Sequence, residues 1–235
     1  RILYNILMER ILSILVVYLA SFLAVLIVLP CHEFAHAFAA VKNGDETPKY
    51  AGRYTLNPFA HFDPLGLVML ILLKFGWAKP VPVNPDNFRN YKKGCIWVSV
   101  AGVLANIALA IIFCPVYLLV AKKGILLINA QWAEYINALI YYFFYSLFYM
   151  NIGLFVFNLL PIYPLDGFRL YDALTTRHGK FYYFLRQNSF YIMIAILLLG
   201  YAGDMLGLPW LDIVGMLVKY VSMPILYLWR LILGL

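Results

Sequence analysis

The sequence predicts an all-α polytopic membrane protein with about five transmembrane helices and a re-entrant or extended segment after the first. Of its 235 residues, 64% are hydrophobic and only 12% are charged, whereas soluble domains have about a quarter charged residues. Several apolar runs also reach the roughly 20 residues that a helix needs to cross a hydrocarbon core of about 30 Å. We therefore expect one helical bundle in a single membrane-embedded domain over residues 1–235.

Five spans are predicted, at residues 11–41, 94–120, 138–160, 181–201 and 211–233. The first is unusually long, because the apolar run continues through "HEFAH" and ends only at "KNGDETP". At 1.5 Å per residue it crosses the bilayer with tilt and still projects from it. Nothing near its start resembles a cleavable signal with a short apolar core. This span is expected to be retained.

The stretch between the first two spans is rich in Gly, Pro, Asn and charged residues, and contains a short apolar run at residues 65–73. As a helix, that run would reach only about 14 Å, half of a bilayer. It is therefore predicted to be re-entrant or interfacial. The flanking "RYTLNP" and "KPVPVNP" have extended character. Irregular backbone at membrane depth needs protein or a wet cavity beside it, so this region is predicted to cover or open a site.

The formal net charge of +7 reflects membrane topology and indicates no nucleic-acid partner. Lys and Arg residues concentrate between residues 42 and 93 and again between 169 and 186, beside the spans. The positive-inside rule makes that side cytoplasmic and leaves the N-terminus outside. The three cysteines, Cys31, Cys95 and Cys114, lie in or next to apolar segments without CxxC spacing, so no disulfide framework is expected.

"HEFAH" within the first span is an HExxH motif. On a helix, His32 and His36 share one face, about 6 Å apart along the axis, and both imidazoles can reach a single zinc ion. Glu33 can then act on a water beside the metal. An ionisable group deep in an apolar span costs at least a few kcal/mol, which favours a functional role. The alternative is that these side chains serve as polar contacts between helices.

A zinc hydrolase needs a third protein ligand and an open position for water. Candidates are His61, His178, Asp63, Asp166, Asp172, Asp204 and Asp212. If the short run at 65–73 does not cross, the first and third spans end on one side, which places Asp166 of "NLLPIYPLDG" at the depth of "HEFAH". The prolines of that motif stop the helix and Gly167 permits a tight turn, so the Asp166 carboxylate can be aimed inward. Asp166 is the predicted third ligand.

The pair "HEFAH" and "NLLPIYPLDG" resembles the site-2 protease family of intramembrane zinc metalloproteases. The stretch "TLNPFAHFDPLG" followed by "FGWAKPVPVNP" is similar to the small prokaryotic branch, which lacks PDZ and CBS domains. The resemblance covers about residues 15–170. It implies one Zn²⁺ per chain held by His32, His36 and Asp166, with Glu33 as general base and acid in peptide hydrolysis.

The family also has a GxxxN element, matched here by Gly102 to Asn106 in "AGVLAN", and the Asn of its second motif falls on Asn158. Asn106 and Asn158 either donate hydrogen bonds to a substrate backbone or make polar contacts between helices, and the sequence leaves both roles open. Two positions depart from the family pattern, Val103 and Tyr163, where proline is usual. Both affect local geometry rather than a metal ligand.

The resemblance implies a zinc metalloendopeptidase in a prokaryotic cell membrane, with its active site towards the cytoplasm. Its zinc core would occupy residues 11–170, and residues 181–235 would add further helices. Expected partners are the lipid bilayer, a membrane-protein substrate and, for control, a regulatory membrane partner. The substrate would unwind and pair as an extra strand with residues 53–57 or 81–84.

Two other functions are considered. A membrane protease acting on prenylated C-termini would need a later glutamate or further histidine ligands. A transporter or metal-binding scaffold would need paired broken helices in two similar halves, which the sequence lacks.

Overall fold

The fold is described from a computed structural model that covers residues 2–66, 76, 78–123, 130–176 and 178–235. In chain order, its elements within these ranges are α1 (Ile2–Lys42), α2 (Thr47–Tyr50), α3 (Pro58–His61), a 3₁₀ turn (Pro85–Asn87), α4 (Tyr91–Lys123), α5 (Gln131–Asn158), α6 (Asp166–Leu174), α7 (Lys180–Leu206), a second 3₁₀ turn (Pro209–Leu211) and α8 (Ile213–Leu233).

Five of these helices, α1, α4, α5, α7 and α8, are long and apolar enough to cross a membrane. This confirms the predicted all-α class and its five spans. The described residues contain no strand, and the extended backbone near residue 80 makes only one isolated antiparallel bridge, between Phe62 and Ala78. The predicted re-entrant run at 65–73 falls mostly outside the described residues and stays a prediction.

The helix ends differ from the predicted spans for local reasons. Helix α5 ends at Asn158, two residues before the predicted end at 160, because the proline-containing segment that follows folds into turns. Helix α8 starts at Ile213 rather than 211, since Asp212 caps it by accepting a hydrogen bond from the Gly215 backbone N–H. The remaining helices extend beyond their predicted apolar limits into polar residues.

Helices α1, α4 and α5 pack against one another and form the centre of the bundle. Small residues allow close approach: Ala24 of α1 and Ala110 and Cys114 of α4 are completely buried. Helix α8 covers α4 and α5 with an apolar face. Helix α7 is more peripheral, and near its start it joins α6 by stacking of Tyr182 on Phe168, with ring centroids 5.3 Å apart.

The segment between α1 and α4 begins and ends at one end of the bundle. The contacts of His36 with Val98 and of His32 with Asn106 make α1 and α4 antiparallel. The backbone N–H of Arg89, just before α4, donates to the carbonyl of Asn43, just after α1, over 2.8 Å. The loop residues are therefore held next to "HEFAH".

Candidate metal centre

Three buried side chains converge where α1, α4 and α6 meet. The Nε2 atoms of His32 and His36 lie 3.1 Å apart. Asp166 Oδ2 is 3.1 Å from His36 Nε2 and 3.4 Å from His32 Nε2. Each of the three residues is at most 5% exposed. Among the described residues, they form the one group of three or more acidic, Cys or His side chains with metal-binding spacing.

The spacing of these three atoms fits zinc. Tetrahedral zinc, with ligands at 2.0–2.2 Å, places any two ligand atoms roughly 3.4 Å apart, and the three observed distances are 3.1, 3.1 and 3.4 Å. Asp166 Oδ2 is buried and lacks a hydrogen-bond partner, which is unusual for a carboxylate oxygen. Two imidazoles and one carboxylate are also a ligand set typical of catalytic zinc.

Both histidines are oriented by their second ring nitrogen. His32 Nδ1 donates to Asn106 Oδ1 over 2.6 Å, and His36 Nδ1 donates to the Val98 carbonyl over 2.7 Å. Since both acceptors are oxygens, the proton of each neutral ring resides on Nδ1 and the Nε2 lone pair faces the other ligands. The rings are thus set for metal binding through Nε2.

Gly102 allows α4 to approach the two histidines closely. A Cβ at this position would lie 2.5 Å from His32 Cε1 and 2.7 Å from His36 Cε1, distances that no side chain tolerates. The same helix carries Asn106 one turn later, so the close approach allowed by Gly102 also brings the Asn106 amide to His32. These two contacts explain the GxxxN spacing of Gly102 and Asn106.

Asp166 reaches the histidines because the chain breaks between α5 and α6. Residues 159–165 form turns, and Asp166 is the first residue of α6, where the helix dipole favours a carboxylate. Gly167 is required by the turn, since a Cβ there would lie 2.5 Å from the Leu159 carbonyl carbon and 2.6 Å from the Leu160 oxygen. Asp166 is therefore held by a tight turn.

Glu33 lies beside the candidate metal-binding group and contacts the extended segment 78–84, here called the strap. Its Oε2 accepts a hydrogen bond from the Val81 backbone N–H over 3.1 Å. Pro80 and Pro82 flank Val81 and offer no N–H of their own. The strap therefore presents few backbone donors, and one of them is directed at Glu33.

The strap is fixed to the end of α1 by Asp45, which is completely buried. Its carboxylate accepts hydrogen bonds from the Asn84 backbone N–H (2.8 Å) and the Asn87 side chain (2.9 Å). It also accepts from the hydroxyl and backbone N–H of Thr47. Burial raises the pKa of Asp45, but these hydrogen bonds outweigh it and hold the pKa below its ordinary value.

We expect Asp45→Ala to release the strap, at a cost of about 1–3 kcal/mol for donors left without an acceptor. Because the pKa of Asp45 is lowered in the folded state, its stabilisation is complete above pH ~4 and is lost as the pH falls further. The measurement is amide exchange at Asn84 between pH 3 and 6, corrected for intrinsic rates. Asp86→Asn, an exposed carboxylate in the same segment, is the control. Equal protection of Asn84 in Asp45→Ala and the parent protein would contradict this role.

A cavity of about 290 Å³ opens onto His32, His36 and Asp166. Its other lining residues are Glu33, Ala78, Pro80, Val81, Asn158, Pro164, Leu165 and Arg169. The strap forms one wall and the turn before α6 forms another. Asn158, one of the predicted residues, lines this cavity and donates to the Leu154 carbonyl over 3.1 Å, which leaves its amide oxygen available.

The other candidate ligands have different partners. His61 is buried in the loop and donates from Nε2 to the Thr55 carbonyl over 2.8 Å. His178 contacts Asp172, with 3.0 Å between Nε2 and Oδ1. Asp63 accepts from the Gly66 N–H over 2.9 Å, and Asp212 caps α8. None of these belongs to the group around His32.

Two residues at the site were not singled out from the sequence. Arg169 lies one turn after Asp166 on α6 and lines the cavity, which the i, i+3 spacing could have indicated. Asn151 of α5 is completely buried and bonded to Asn106. The sequence could have indicated Asn151, because it is a second amide side chain in an apolar span, seven residues before Asn158.

Comparison with known proteins shows that this chain is similar to members of a zinc protease family. The sequence profile described as "Peptidase family M50" matches residues 119–200. YwhC of Bacillus subtilis, named as a candidate zinc metalloprotease, is 42% identical over 146 residues, 61% of this chain and 63% of its own length. Rip2 of Mycolicibacterium smegmatis, named in the same way, is 32% identical over 142 residues, 58% of this chain and 50% of its own.

Rip2 of Mycobacterium tuberculosis, also named as a candidate zinc metalloprotease, is 33% identical over 147 residues, 61% of this chain and 52% of its own length. The chain thus spans between half and two thirds of the length of these curated relatives. No solved structure matches the chain at a comparable level of significance. The profile match and the relatives confirm the family resemblance predicted from the motifs.

Proposed function

We propose that this chain, a relative of the peptidase family M50 proteins, is an intramembrane zinc metalloprotease that cleaves peptide bonds in or next to transmembrane segments. One Zn²⁺ per chain would be held by His32, His36 and Asp166. The observation that carries the proposal is the 3.1–3.4 Å triangle of His32 Nε2, His36 Nε2 and Asp166 Oδ2. It lies within a membrane helix bundle and faces a cavity.

Glu33 is the proposed general base and acid. When bound, zinc lowers the pKa of a water ligand towards neutrality and polarises the scissile carbonyl. The Glu33 carboxylate lines the same cavity and would take the proton from the attacking water, then pass it to the leaving amine. The Val81 N–H holds one carboxylate oxygen of Glu33, which leaves the other oxygen free for this proton.

The substrate must expose a carbonyl that a helix hides in its backbone hydrogen bonds. Of the two segments predicted to pair with it, residues 81–84 are better suited. Val81 lines the cavity, whereas none of the residues 53–57 is among its lining residues. The strap lies at the cavity, so an unwound substrate strand beside it would reach Glu33.

The proposed location of this chemistry is the cytoplasmic side of the membrane. Lys and Arg residues gather at the end of the bundle that holds the site, as the positive-inside rule requires of a cytoplasmic face. The curated relatives are bacterial, which supports a prokaryotic cell membrane. The proposed partners are the bilayer, a membrane-protein substrate and a regulatory membrane protein.

The proposed zinc core comprises residues 11–170, with α7 and α8 as additional helices of the same domain. The core includes α1, α4 and α5 and the start of α6, which together supply His32, His36, Asp166 and their hydrogen-bond partners. Helix α8 supports this core through α4 and α5.

The proposal is tested by metal removal. The purified chain in lipid vesicles, with single-pass membrane segments as substrates, is expected to contain about one zinc by elemental analysis. A chelator should abolish cleavage, and added Zn²⁺ should restore it while Mg²⁺ does not. Cleavage that persists after complete loss of zinc would overturn the proposal. A zinc-free protein that moves solutes across the vesicle membrane would favour the transporter alternative.

A further inference from the structure

A chain of buried amides leads from His32 to a helix carbonyl on α5. His32 Nδ1 donates to Asn106 Oδ1 (2.6 Å), and Asn106 Nδ2 donates to Asn151 Oδ1 (2.9 Å). Asn151 Nδ2 then donates to the Leu147 carbonyl (2.7 Å). Asn106 and Asn151 are both 0% exposed. Two uncharged polar side chains thus connect three helices inside an apolar bundle.

The far end of this chain fixes the direction of every hydrogen bond in it. The Leu147 carbonyl can only accept, so Asn151 must direct its NH₂ group towards it and its Oδ1 towards Asn106. Asn106 then meets an acceptor at Asn151 and must present its own NH₂ group there. Its Oδ1 is left facing His32. A flipped amide at either position would oppose like groups in a dry interior, where an unpaired polar group is costly.

This order determines which nitrogen of His32 carries the proton. Because Asn106 Oδ1 only accepts, His32 must carry its proton on Nδ1 and keep the Nε2 lone pair for a metal. A flipped Asn106 would present NH₂ to Nδ1 and favour the tautomer with a proton on Nε2. That tautomer cannot bind zinc through Nε2. Asn151 is therefore separated from His32 by two hydrogen bonds, through Asn106.

We propose that Asn151 is a positioning residue for the metal centre, which sets the Asn106 amide and, through it, the metal-binding tautomer of His32. The proposal rests on the zinc site proposed above. It assigns Asn151 an effect on metal affinity that a residue used only for helix packing would not have. Outer partners of metal-bound histidines typically change affinity by about 10–100-fold.

The test measures zinc affinity by chelator competition for the full chain in detergent and for three variants of it. Asn151→Leu keeps the branched shape and the number of side-chain heavy atoms but removes both hydrogen bonds, and is expected to bind zinc about 10–100-fold more weakly. Asn151→Asp, as the neutral acid, accepts from Asn106 through its carbonyl oxygen and donates its hydroxyl to the Leu147 carbonyl. It should restore affinity to within about threefold of the parent.

Ser146→Ala is the matched control. Ser146 is buried on the same helix and bonds Ser21 of α1 over 3.2 Å, without a connection to either histidine. Its loss removes an interhelical hydrogen bond of α1 and α5 and should leave zinc affinity unchanged. The visible spectrum of the Co²⁺-loaded proteins gives a second readout, and it should change in Asn151→Leu but not in Ser146→Ala.

Two outcomes would overturn the proposal. The first is a zinc affinity of Asn151→Leu that lies within twofold of the parent affinity. Equal weakening in Asn151→Leu and Asn151→Asp is the other, because it would make Asn151 a packing residue only. Failure of the underlying zinc site is distinguishable, since the parent chain itself would then bind no zinc. Thermal unfolding of the metal-free proteins identifies a variant that has lost its fold, and Asn151→Asp then decides the question.

Discussion

Replacement of Asp166 by alanine is expected to abolish stable zinc binding and cleavage together. The variant leaves two imidazoles, His32 and His36, and removes the only negatively charged member of the group. A catalytic zinc site needs three protein ligands, so the loss in affinity should exceed the 10–100-fold typical of an outer partner.

The matched control is Asp172→Ala. Asp172 lies on the same helix and contacts His178 and Tyr182 instead of the metal-binding group. Both variants are compared by elemental analysis after dialysis against a weak chelator, and by cleavage of a membrane segment. An Asp166→Ala protein that retains one zinc with parental affinity would remove Asp166 as a ligand. The other carboxylates and histidines of the loop would then need to be tested in turn.

Replacement of Glu33 by glutamine is expected to reduce the cleavage rate by about 10²–10⁴-fold, the range for loss of a general acid–base group. Zinc content should remain at the parental level, because Glu33 is not one of the three converging ligands. The glutamine amide oxygen can still accept from the Val81 N–H. The strap should therefore stay in place, which separates the loss of proton transfer from a change in structure.

Single-turnover cleavage and elemental analysis of the same preparation provide this measurement. Glu46→Gln is the control, because Glu46 is an exposed carboxylate that pairs with Lys49 at the surface. Cleavage by Glu33→Gln at more than a tenth of the parental rate would exclude Glu33 as the main proton carrier. Loss of zinc in this variant would instead point to a role in metal binding.

Much of the fold was predictable because a bilayer imposes strong rules on sequence. The five crossing helices follow from apolar runs of sufficient length. The end of α5 and the start of α8 are set by proline turns and by the capping Asp212, whereas other helix ends extend into flanking polar residues. The spacing of His32 and His36 also follows from helix geometry alone. Asp166 required one further assumption, that the first and third spans end on the same side.

The contacts that complete the site were less accessible from sequence. A glycine in an apolar span has many packing roles, and only the structure shows that Gly102 faces the two imidazoles. The bond from the Val81 N–H to Glu33 joins residues 48 positions apart. The extended character of the strap was predicted from "KPVPVNP". Its contact with Glu33 and its anchor Asp45 could not be derived, because neither periodicity nor motif spacing defines the tertiary contacts of an irregular loop.

The sequence by itself determined a membrane protein with five spanning helices. It also placed two histidines on one face of the first helix, a glutamate next to them, and an aspartate after a broken helix. Those features depend on local rules, such as the helical repeat, the apolar length of a span and the effect of proline. Only the tertiary structure decided which groups orient the candidate metal ligands. Asn106 and the Val98 carbonyl reach His32 and His36 across a helix interface, and Asn151 contacts Asn106 across another. Such contacts depend on how the helices pack and rotate.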